Sequence, residues 1–399
     1  MTVMGTGFDP AATVQFNGNA LATSFVSSTQ LSANITTGDI SMPGTAQIMV
    51  ANPVVSGGVS SASTLFIGSS GGVSSNGSGF AVAMVNQAAQ DMAFDPLHQE
   101  IFLSVPNTVT LGNTISVLDP ATTKIVGGQF AGSNPSVLAI SDDSQFLYAG
   151  INGSSSVQRF TLPGLGMDVN YSLSSGGSFG PNFALDLQVA PGAPHTTAVS
   201  LGDFGVSPSA EGGITIFDDT TARPTKAPGF GGSGGGLFDS IQWGSDATAL
   251  FAANNEDTGF DFYTLSVSAT GVTLVKDFLN TFSSFANRKI HFDAGTKLVY
   301  ADDGHVVDPS NGAVVGNFGV SGLMVPDSSL NTAFFIVGPL GSSTVTIEAF
   351  NLTTFAMVSS LTINNVTGNP QRLIRWGKNG LAFNTDGGQV FLVGGNFVH

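Results

Sequence analysis

The sequence predicts an all-β protein whose larger part is a ring of repeated four-stranded units, and three observations support this. A phrase of three short apolar strands recurs about every 40 residues from residue 87 onward. The strands are bounded by Gly, Pro, Asn and Asp, which favour turns. Only 10% of the residues are charged, whereas 42% are hydrophobic and 52 are glycine. Such a composition is typical of β proteins with many tight turns.

Three copies show the repeated phrase most clearly. The first has Met-Ala-Phe-Asp-Pro at 92–96, Glu-Ile-Phe-Leu-Ser-Val at 100–105 and Thr-Ile-Ser-Val-Leu-Asp-Pro at 114–120. The second copy begins at Val137 and the third at Lys289, with the same order of strands and polar breaks. A period of this length made of strands is typical of a β-propeller, in which each repeat is one blade.

The repeat predicts seven blades over residues 80–399, with six or eight as alternatives. The blade starts are expected near Ala88, Pro135, Phe183, Phe238, Arg288, Leu323 and Pro370. The third and fourth blades carry long insertions rich in Gly and Pro. The last unit has only three strands of its own, and the apolar segment 80–85 is predicted to supply the fourth. A blade shared between the two ends of the chain removes the free edges of the ring.

Residues 1–68 do not follow the repeat and predict a separate antiparallel β-sandwich. Asn17-Gly18 favours a type I′ hairpin turn. The order Gly-Thr-Gly-Phe, a strand ending in Asn-Gly, a Gln-Leu strand and Gly-Thr-Ala-Gln-Ile-Met-Val-Ala-Asn-Pro at 44–53 resembles the IPT/TIG immunoglobulin-like domain. The resemblance implies one more strand ahead of residues 2–4, so the sandwich is expected to lack its first strand. Residues 69–79, rich in Gly and Ser, are predicted to be a flexible linker.

The larger part resembles the YVTN and lactonase-like seven-bladed propellers of bacterial exported proteins. The resemblance rests on the aromatic strands Phe-Leu-Tyr-Ala at 146–149 and Leu-Val-Tyr-Ala at 298–301, and on Asp-Pro at strand ends. The stretch 375–385 resembles a segment found where such propellers follow a TIG domain. The combination implies an exported protein of a soil-type bacterium, located outside the cell or on its surface. Because residues 1–7 lack the features of a signal peptide, the chain is expected to be a mature or truncated form.

Charge and composition narrow the set of partners. Eleven basic and 27 acidic residues give a formal net charge of −16, which disfavours nucleic acid and anionic membrane surfaces. There is no cysteine, which excludes thiol chemistry, and no run of about 18 apolar residues that would span a membrane. The predicted partners are other copies of the chain, other surface proteins or glycans, with no nucleic acid and no membrane insertion.

The sequence lacks the common catalytic and metal-binding patterns. No Gly-x-Ser-x-Gly elbow is present, and the Gly-rich stretch 229–236 lacks the lysine and helix of a phosphate loop. None of the five histidines has a partner at metal-ligand spacing, and all are expected to be structural: His98, His195, His291, His305 and His399. Six glycosylation sequons are expected by chance, at Asn34, Asn76, Asn152, Asn170, Asn351 and Asn365.

Paired carboxylates are interpreted as turn residues in preference to a cation site. The pairs are Asp142-Asp143, Asp218-Asp219, Glu256-Asp257 and Asp302-Asp303. The loop 254–259 is the best single candidate for a Ca²⁺ ion, the one cofactor left open. A lactonase-like enzyme would place its carboxylates around the central channel, near Asp186, Asp239 and Arg288, but their partners form no recognisable set. No catalytic, cofactor-binding or metal-binding residues are therefore predicted.

Three functions are consistent with the sequence. The leading hypothesis is a non-enzymatic extracellular structural or adhesive protein, a surface or filament subunit that assembles by strand complementation of the Ig-like domain. The first alternative is a lactonase- or lyase-like enzyme with its site at the mouth of the channel. The second alternative is a monomeric module that binds glycans or proteins.

Overall fold

The protein is described by a computed structural model that covers residues 1–40, 44–53, 57–67, 74–75, 80–173, 180–209, 212–229, 231–233, 235–256, 259–283 and 289–398. Nearly all regular structure in these residues is β-strand. Two 3₁₀ turns, Asn152–Ser154 and Asn396–Val398, are the only helical segments among them. The predicted all-β class is confirmed.

The first seven strands form two antiparallel sheets. They are β1 (Thr2–Met4), β2 (Thr13–Phe16), β3 (Asn19–Ala20), β4 (Thr23–Ser27), β5 (Gln30–Ala33), β6 (Gly44–Ala51) and β7 (Ser63–Ile67). One sheet has the order β1-β5-β4 and the other the order β3-β2-β6-β7. Asn17 and Gly18 both have positive φ, 52° and 83°, between Phe16 and Asn19, which are paired. The predicted type I′ turn is confirmed, because only that turn has φ > 0 at both central residues.

The two sheets pack face to face around one apolar core. Val14 and Phe16 of β2, together with Ile48 of β6, meet Leu31 and Ala33 of β5 in a single cluster of buried side chains. Along β2 and β5, every second residue is buried, as expected for strands with one face toward a core.

From residue 92 onward, the described chain folds into seven consecutive sheets, numbered here in chain order. The first six each contain four strands in antiparallel sequence order. Their strands are, for sheet 1, β10–β13 (Met92–Asp95, Glu100–Val105, Thr114–Asp119, Lys124–Phe130); for sheet 2, β14–β17 (Pro135–Ile140, Phe146–Ile151, Ser156–Thr161, Gly166–Ser172); and for sheet 3, β18–β21 (Asn182–Ala190, Ala193–Asp203, Gly213–Asp218, Thr221–Ala222).

The next three sheets have the same plan. Their strands are, for sheet 4, β22–β25 (Ser240–Trp243, Ala249–Ala253, Phe262–Ser268, Gly271–Phe278); for sheet 5, β26–β29 (Ile290–Asp293, Leu298–Ala301, His305–Asp308, Ala313–Asn317); and for sheet 6, β30–β33 (Leu323–Asp327, Thr332–Val337, Thr344–Asn351, Met357–Asn364). The first strands begin within a few residues of the predicted starts, except that Arg288 lies outside the described residues.

Sheet 7 takes strands from both sides of the repeat region. Its order is β34-β35-β36-β9-β8, formed by Pro370–Trp376, Gly380–Thr385, Gln389–Gly395, Phe80–Asn86 and Ser74–Ser75. Residues 80–86 pair in antiparallel register with residues 389–395. The prediction that segment 80–85 completes the last unit is confirmed. Most of the predicted linker 69–79 lies outside the described residues, but Ser74 and Ser75 pair with β9.

Apolar packing between neighbouring sheets closes the ring. Seven buried clusters of the described residues each join two consecutive sheets. One of them joins sheet 7 back to sheet 1, through Val85 and Leu392 against Met92 and Leu103. Because no sheet has an unpacked face within the ring, each sheet depends on both neighbours for burial of its side chains.

Leu392→Ala tests the closing contact between sheets 7 and 1. Loss of a buried leucine side chain costs about 2–5 kcal/mol, so the urea midpoint of unfolding falls substantially. Leu97→Ala is the matched control, since Leu97 is 68% exposed and its loss changes stability by about 0.5 kcal/mol or less. Equal midpoints for the two variants would show that the closing contact contributes little.

Candidate functional site at the channel mouth and the open sheet edge

The first strands of the seven sheets form the inner wall of the ring. Each of β10, β14, β18, β22, β26, β30 and β34 lies beside the first strands of the two neighbouring sheets. The loops that enter these strands meet at one mouth of the central channel. Polar residues at this end of the first strands are therefore close to one another in space and far apart in sequence.

Three buried carboxylates at this mouth each connect one sheet to the next. Asp91 Oδ2 accepts the backbone N–H of Leu138 at 2.9 Å. Asp186 Oδ2 accepts that of Ile241 at 2.9 Å, and Asp302 Oδ1 accepts that of Met324 at 3.0 Å. A carboxylate that accepts backbone N–H bonds satisfies donors that would otherwise be buried without a partner. These residues therefore hold the first strands of sheets 1 and 2, 3 and 4, and 5 and 6 together.

Cationic and imidazole groups meet the same carboxylates. Lys289 Nζ lies 3.2 Å from Asp186 Oδ1, and Arg372 Nε lies 3.3 Å from Asp91 Oδ1. His291 Nε2 lies 3.0 Å from Asp302 Oδ1. The charges of the channel mouth are thus paired inside the protein, where burial makes such pairing necessary.

Asp239 differs from these three carboxylates because one of its oxygens has no partner among the described residues. Its Oδ2 accepts the N–H groups of Asn255 at 2.6 Å and Glu256 at 3.1 Å, but its buried Oδ1 bonds none of the residues that the structure describes. The residue is only 7% exposed. Burial raises the pKa of Asp239 to about 7, and the nearby charge of Glu256 acts in the same direction. This carboxyl group therefore exchanges a proton near neutral pH.

A cleft of about 510 Å³ opens at the same mouth beside sheets 6 and 7. Its rim includes the loop tip Pro339-Leu340 and its wall includes Asn369 and Asp386. Asn369 joins the two sides, since its Oδ1 accepts the N–H of Gly341 at 2.8 Å and its own N–H donates to Asp386 Oδ1 at 2.7 Å. The volume is within the usual range for small-molecule sites. Among the described residues, the cleft is lined by apolar side chains together with hydroxyl, amide and carboxylate groups, and by no lysine or arginine.

The predicted histidines and acidic pairs are engaged in contacts between loops and sheets. Each described histidine bonds a carboxylate: His98 with Asp95, His195 with Asp219, His291 with Asp302 and His305 with Asp303. Asp143 accepts the Gln145 N–H within its turn, whereas Asp142 accepts the Gly192 N–H of the next sheet. Arg288, Asp257 and His399 lie outside the described residues.

Asp219 belongs to a cluster between sheets 2 and 3, whereas Asp218 binds Arg223 of its own sheet, which also donates to the Ser268 carbonyl of sheet 4. The guanidinium of the buried Arg159 lies 2.5 Å from Asp219 and 2.7 Å from Asp168, and its carbon lies 4.5 Å from the centre of the Phe146 ring. The hydrogen bond from Arg159 lowers the pKa of Asp219, as that from Arg223 lowers the pKa of Asp218. The pair thus contributes to sheet-to-sheet contacts.

Sequence reasoning found Asp186 and Asp239 but missed Asp91, Lys289 and Arg372 as members of the channel mouth. A signal was present in the sequence. Five of the seven first strands have a polar residue directly before a buried Leu, Ile or Met: Asp91-Met92, Asp186-Leu187, Ser240-Ile241, Lys289-Ile290 and Arg372-Leu373. Aligning the repeats on that aliphatic position places these side chains at one level of the channel.

The outer strands of the N-terminal three-stranded sheet form a second candidate site. β1 and β4 are the ends of the order β1-β5-β4 among the described residues. Neither strand contains a charged residue, and Met4 is 70% and Val26 54% exposed. Sheet edges that face solvent usually carry charges or prolines, which prevent pairing with other chains.

Comparisons with solved structures show the β-propeller fold. Hydrazine synthase of Kuenenia stuttgartiensis matches with a TM-score of 0.58 and 13% identity, over 78% of this chain and 96% of that chain. The β-propeller domain of Cps50 (Swd1) from Myceliophteria thermophila matches with a TM-score of 0.55 and 11% identity, over 77% and 96%. No family model and no curated protein sequence matches the chain, and the IPT/TIG and YVTN resemblances stay predictions.

The likeness at this identity assigns the fold and leaves the activity open. One neighbour is an enzyme by name and the other is a propeller domain, and propellers serve many functions. Among the described residues, no group of three or more His, Asp or Glu side chains is placed to hold a metal ion. No helix in the described part of the chain is long and apolar enough to cross a membrane.

The proton on Asp239 makes the stability of the fold depend on pH. Its folded pKa is raised above the value of 3.8 to about 7, so the stabilising contribution of the neutral form is present at low pH and is lost as pH rises through 7. We expect the wild type to lose more stability than Asp239→Asn between pH 5 and pH 8, measured as the midpoint of thermal unfolding.

Asp246→Asn serves as the control for that measurement. The pKa of the exposed Asp246 is lowered by hydrogen bonds from Thr248, so this carboxyl group stays ionised between pH 5 and pH 8. Its variant is expected to follow the wild-type pH profile. Parallel profiles for wild type and Asp239→Asn would contradict the assigned role of Asp239.

Proposed function

We propose that this chain is a non-enzymatic extracellular structural or adhesive protein that self-assembles. In this proposal the propeller is a rigid disc and the N-terminal sandwich makes the contact between molecules. The single observation that carries the proposal is the uncharged, open edge strand β1 of the sheet β1-β5-β4, which has no bulge and on which Met4 is largely exposed. Backbone N–H and C=O groups along such an edge are free to pair with a strand of another molecule.

The contacts of the channel mouth support the role of a rigid disc. Asp91, Asp186 and Asp302 each bind the backbone of the next sheet, so their oxygens hold the ring together. A ring held both by buried apolar clusters and by such bonds deforms little under load. Rigid units joined by repeated strand pairing can build a surface layer or a filament when the contact is heterologous.

We further propose the finer architecture and location that the sequence predicts. Residues 1–68 are an IPT/TIG-like sandwich, 69–79 a linker, and 80–399 a seven-bladed propeller of the YVTN or lactonase-like type. Support comes from the two packed sheets of the sandwich and from the seven consecutive sheets of the ring. An extracellular location, surface proteins or glycans as partners, and the absence of nucleic acid and membrane contacts are supported by the low charged fraction and the net charge of −16.

A second candidate function is a monomeric module that binds glycans. The observation in its favour is the cleft at the channel mouth beside sheets 6 and 7, whose lining combines apolar side chains with hydroxyl, amide and carboxylate groups, as suits a ligand with both apolar faces and hydroxyl groups. The exposed Leu340 at its rim supplies apolar surface for the face of a sugar ring.

Met4→Lys tests the assembly proposal. A lysine on the open strand β1 places a charge where a strand would have to pair, so the variant is expected to associate at least about tenfold more weakly, a change of about 1.4 kcal/mol. Sedimentation velocity and electron microscopy over a concentration series measure the effect. Wild-type protein that stays monomeric throughout the series contradicts the proposal.

Leu340→Arg tests the second candidate. If a monomeric chain binds neutral oligosaccharides on a glycan array, this variant is expected to weaken binding about tenfold or more by placing a large cation at the rim of the cleft. Leu97→Arg is the matched control, because Leu97 is also an exposed loop leucine and does not line the cleft. Equal weakening by both variants contradicts a site in the cleft.

A further inference from the structure

The fourth strands of the ring sheets form its outer edges, and most of them are interrupted. In each of β13, β25, β29 and β33, one residue of the outer strand has no partner on the third strand. The unpaired residue is a valine every time: Val126, Val275, Val315 and Val358. Their exposure ranges from 48% for Val315 to 64% for Val275. A bulge of this kind bends the strand and prevents pairing with another strand across it.

The outer strands differ in what remains beyond the bulge. In β33, residues 359–364 continue in unbroken register with β32, and they contain no charged residue and no proline. In β25, the corresponding stretch contains Lys276 and Asp277, and in β29 only two residues remain. β13 has a short uncharged stretch, residues 127–130. Among these four strands, β13 and β33 therefore have an uncharged stretch of four or more residues beyond the bulge.

The edge of β13 already has a neighbour within the chain. β7, the edge strand of the four-stranded sheet of the sandwich, lies alongside β13. The equivalent edge of sheet 6 ends at β33, and no strand of the described chain lies on its outer side. A sandwich edge thus lies beside one of these two uncharged stretches, whereas the other has no strand beside it in the described chain and, outside its own sheet and core, contacts the C-terminal turn Asn396–Val398.

We infer that β33 is the surface that receives the sandwich of a second copy of this chain. The inference rests on the proposed self-assembly and adds its acceptor: the open strand β1, which pairs with β5 without a bulge, pairs in one copy with residues 359–364 of the next. The contact within the chain between β7 and β13 supplies the precedent for a sandwich edge beside an outer strand.

Charge supports a second copy as the occupant. Each chain carries a net charge of −16, so two copies repel one another over most of their surfaces. β1, β4 and residues 359–364 contain no charged residue, and a contact there brings few like charges together. Because the two surfaces are different parts of the molecule, the contact is heterologous and can propagate from copy to copy.

Thr362→Lys on the full-length chain tests the inference. Thr362 is an exposed residue of β33 that faces Thr346 across the ladder, so lysine is compatible with the fold and places a charge on the open edge. We expect association to weaken about tenfold or more, measured by sedimentation velocity. Hydrogen exchange of the amides at 359–364 is expected to slow at least about tenfold when the wild type assembles, because new backbone bonds protect them.

Thr273→Lys is the matched control. Thr273 is an exposed threonine of β25, whose edge already carries two charges, and this variant is expected to assemble like the wild type. If Met4→Lys blocks assembly while Thr362→Lys assembles normally, the acceptor is not β33 and the inference is wrong, whereas the proposed function stands. If Thr362→Lys and Thr273→Lys weaken assembly equally, the effect is not specific to β33 and the inference is also wrong. A wild type that never assembles overturns both.

Discussion

The pairing of β9 with β36 is the contact on which the rest of the ring depends. Residues 80–86 and 389–395 form a complete antiparallel ladder, and Asn384 Nδ2 donates to the Ala89 carbonyl, 295 residues away in sequence, at 2.7 Å. Without this sheet, the apolar clusters that it shares with sheets 6 and 1 would lose about half of their side chains, and the ring would have two sheet faces exposed to water. The closing strand therefore acts on every sheet through its neighbours, because each one buries its side chains only against the next.

Apolar packing cannot satisfy the backbone N–H groups that face the channel, and short polar side chains bind them instead. The inner strands begin at a mouth where backbone N–H groups lack ladder partners, and Asp91, Asp186 and Asp302 accept them. Asp239 lies at the same mouth, and its Oδ1 has no hydrogen-bond partner among the described residues. A buried oxygen without a partner is costly when charged, and burial raises the pKa of Asp239 to about 7.

The repeated pattern of apolar strands and the turn residues predicted the sheets and the closing segment. Both are local properties of the sequence, since they depend on the alternation of apolar and polar residues and on the residue types at turns. The Asn17-Gly18 turn is of this kind. Local sequence properties did not predict that Lys289 pairs with Asp186 or that Arg372 lies beside Asp91. Those contacts depend on which sheets become neighbours around the channel and on the length of each side chain. The cleft beside sheets 6 and 7 is likewise formed by loops from different repeats, so no single repeat contains its pattern.

The shared sheet also has a consequence for the order of events during translation. β9 leaves the ribosome about 300 residues before its partner β36, which corresponds to roughly 15–60 s at 5–20 residues per second. During that interval the apolar strand β9 has no partner strand to pair with. The sheets that are made first pack against each other before the ring can close. Closure is thus a late event of high contact order, and the emerging chain must be protected from pairing with its neighbours until residue 395 is made.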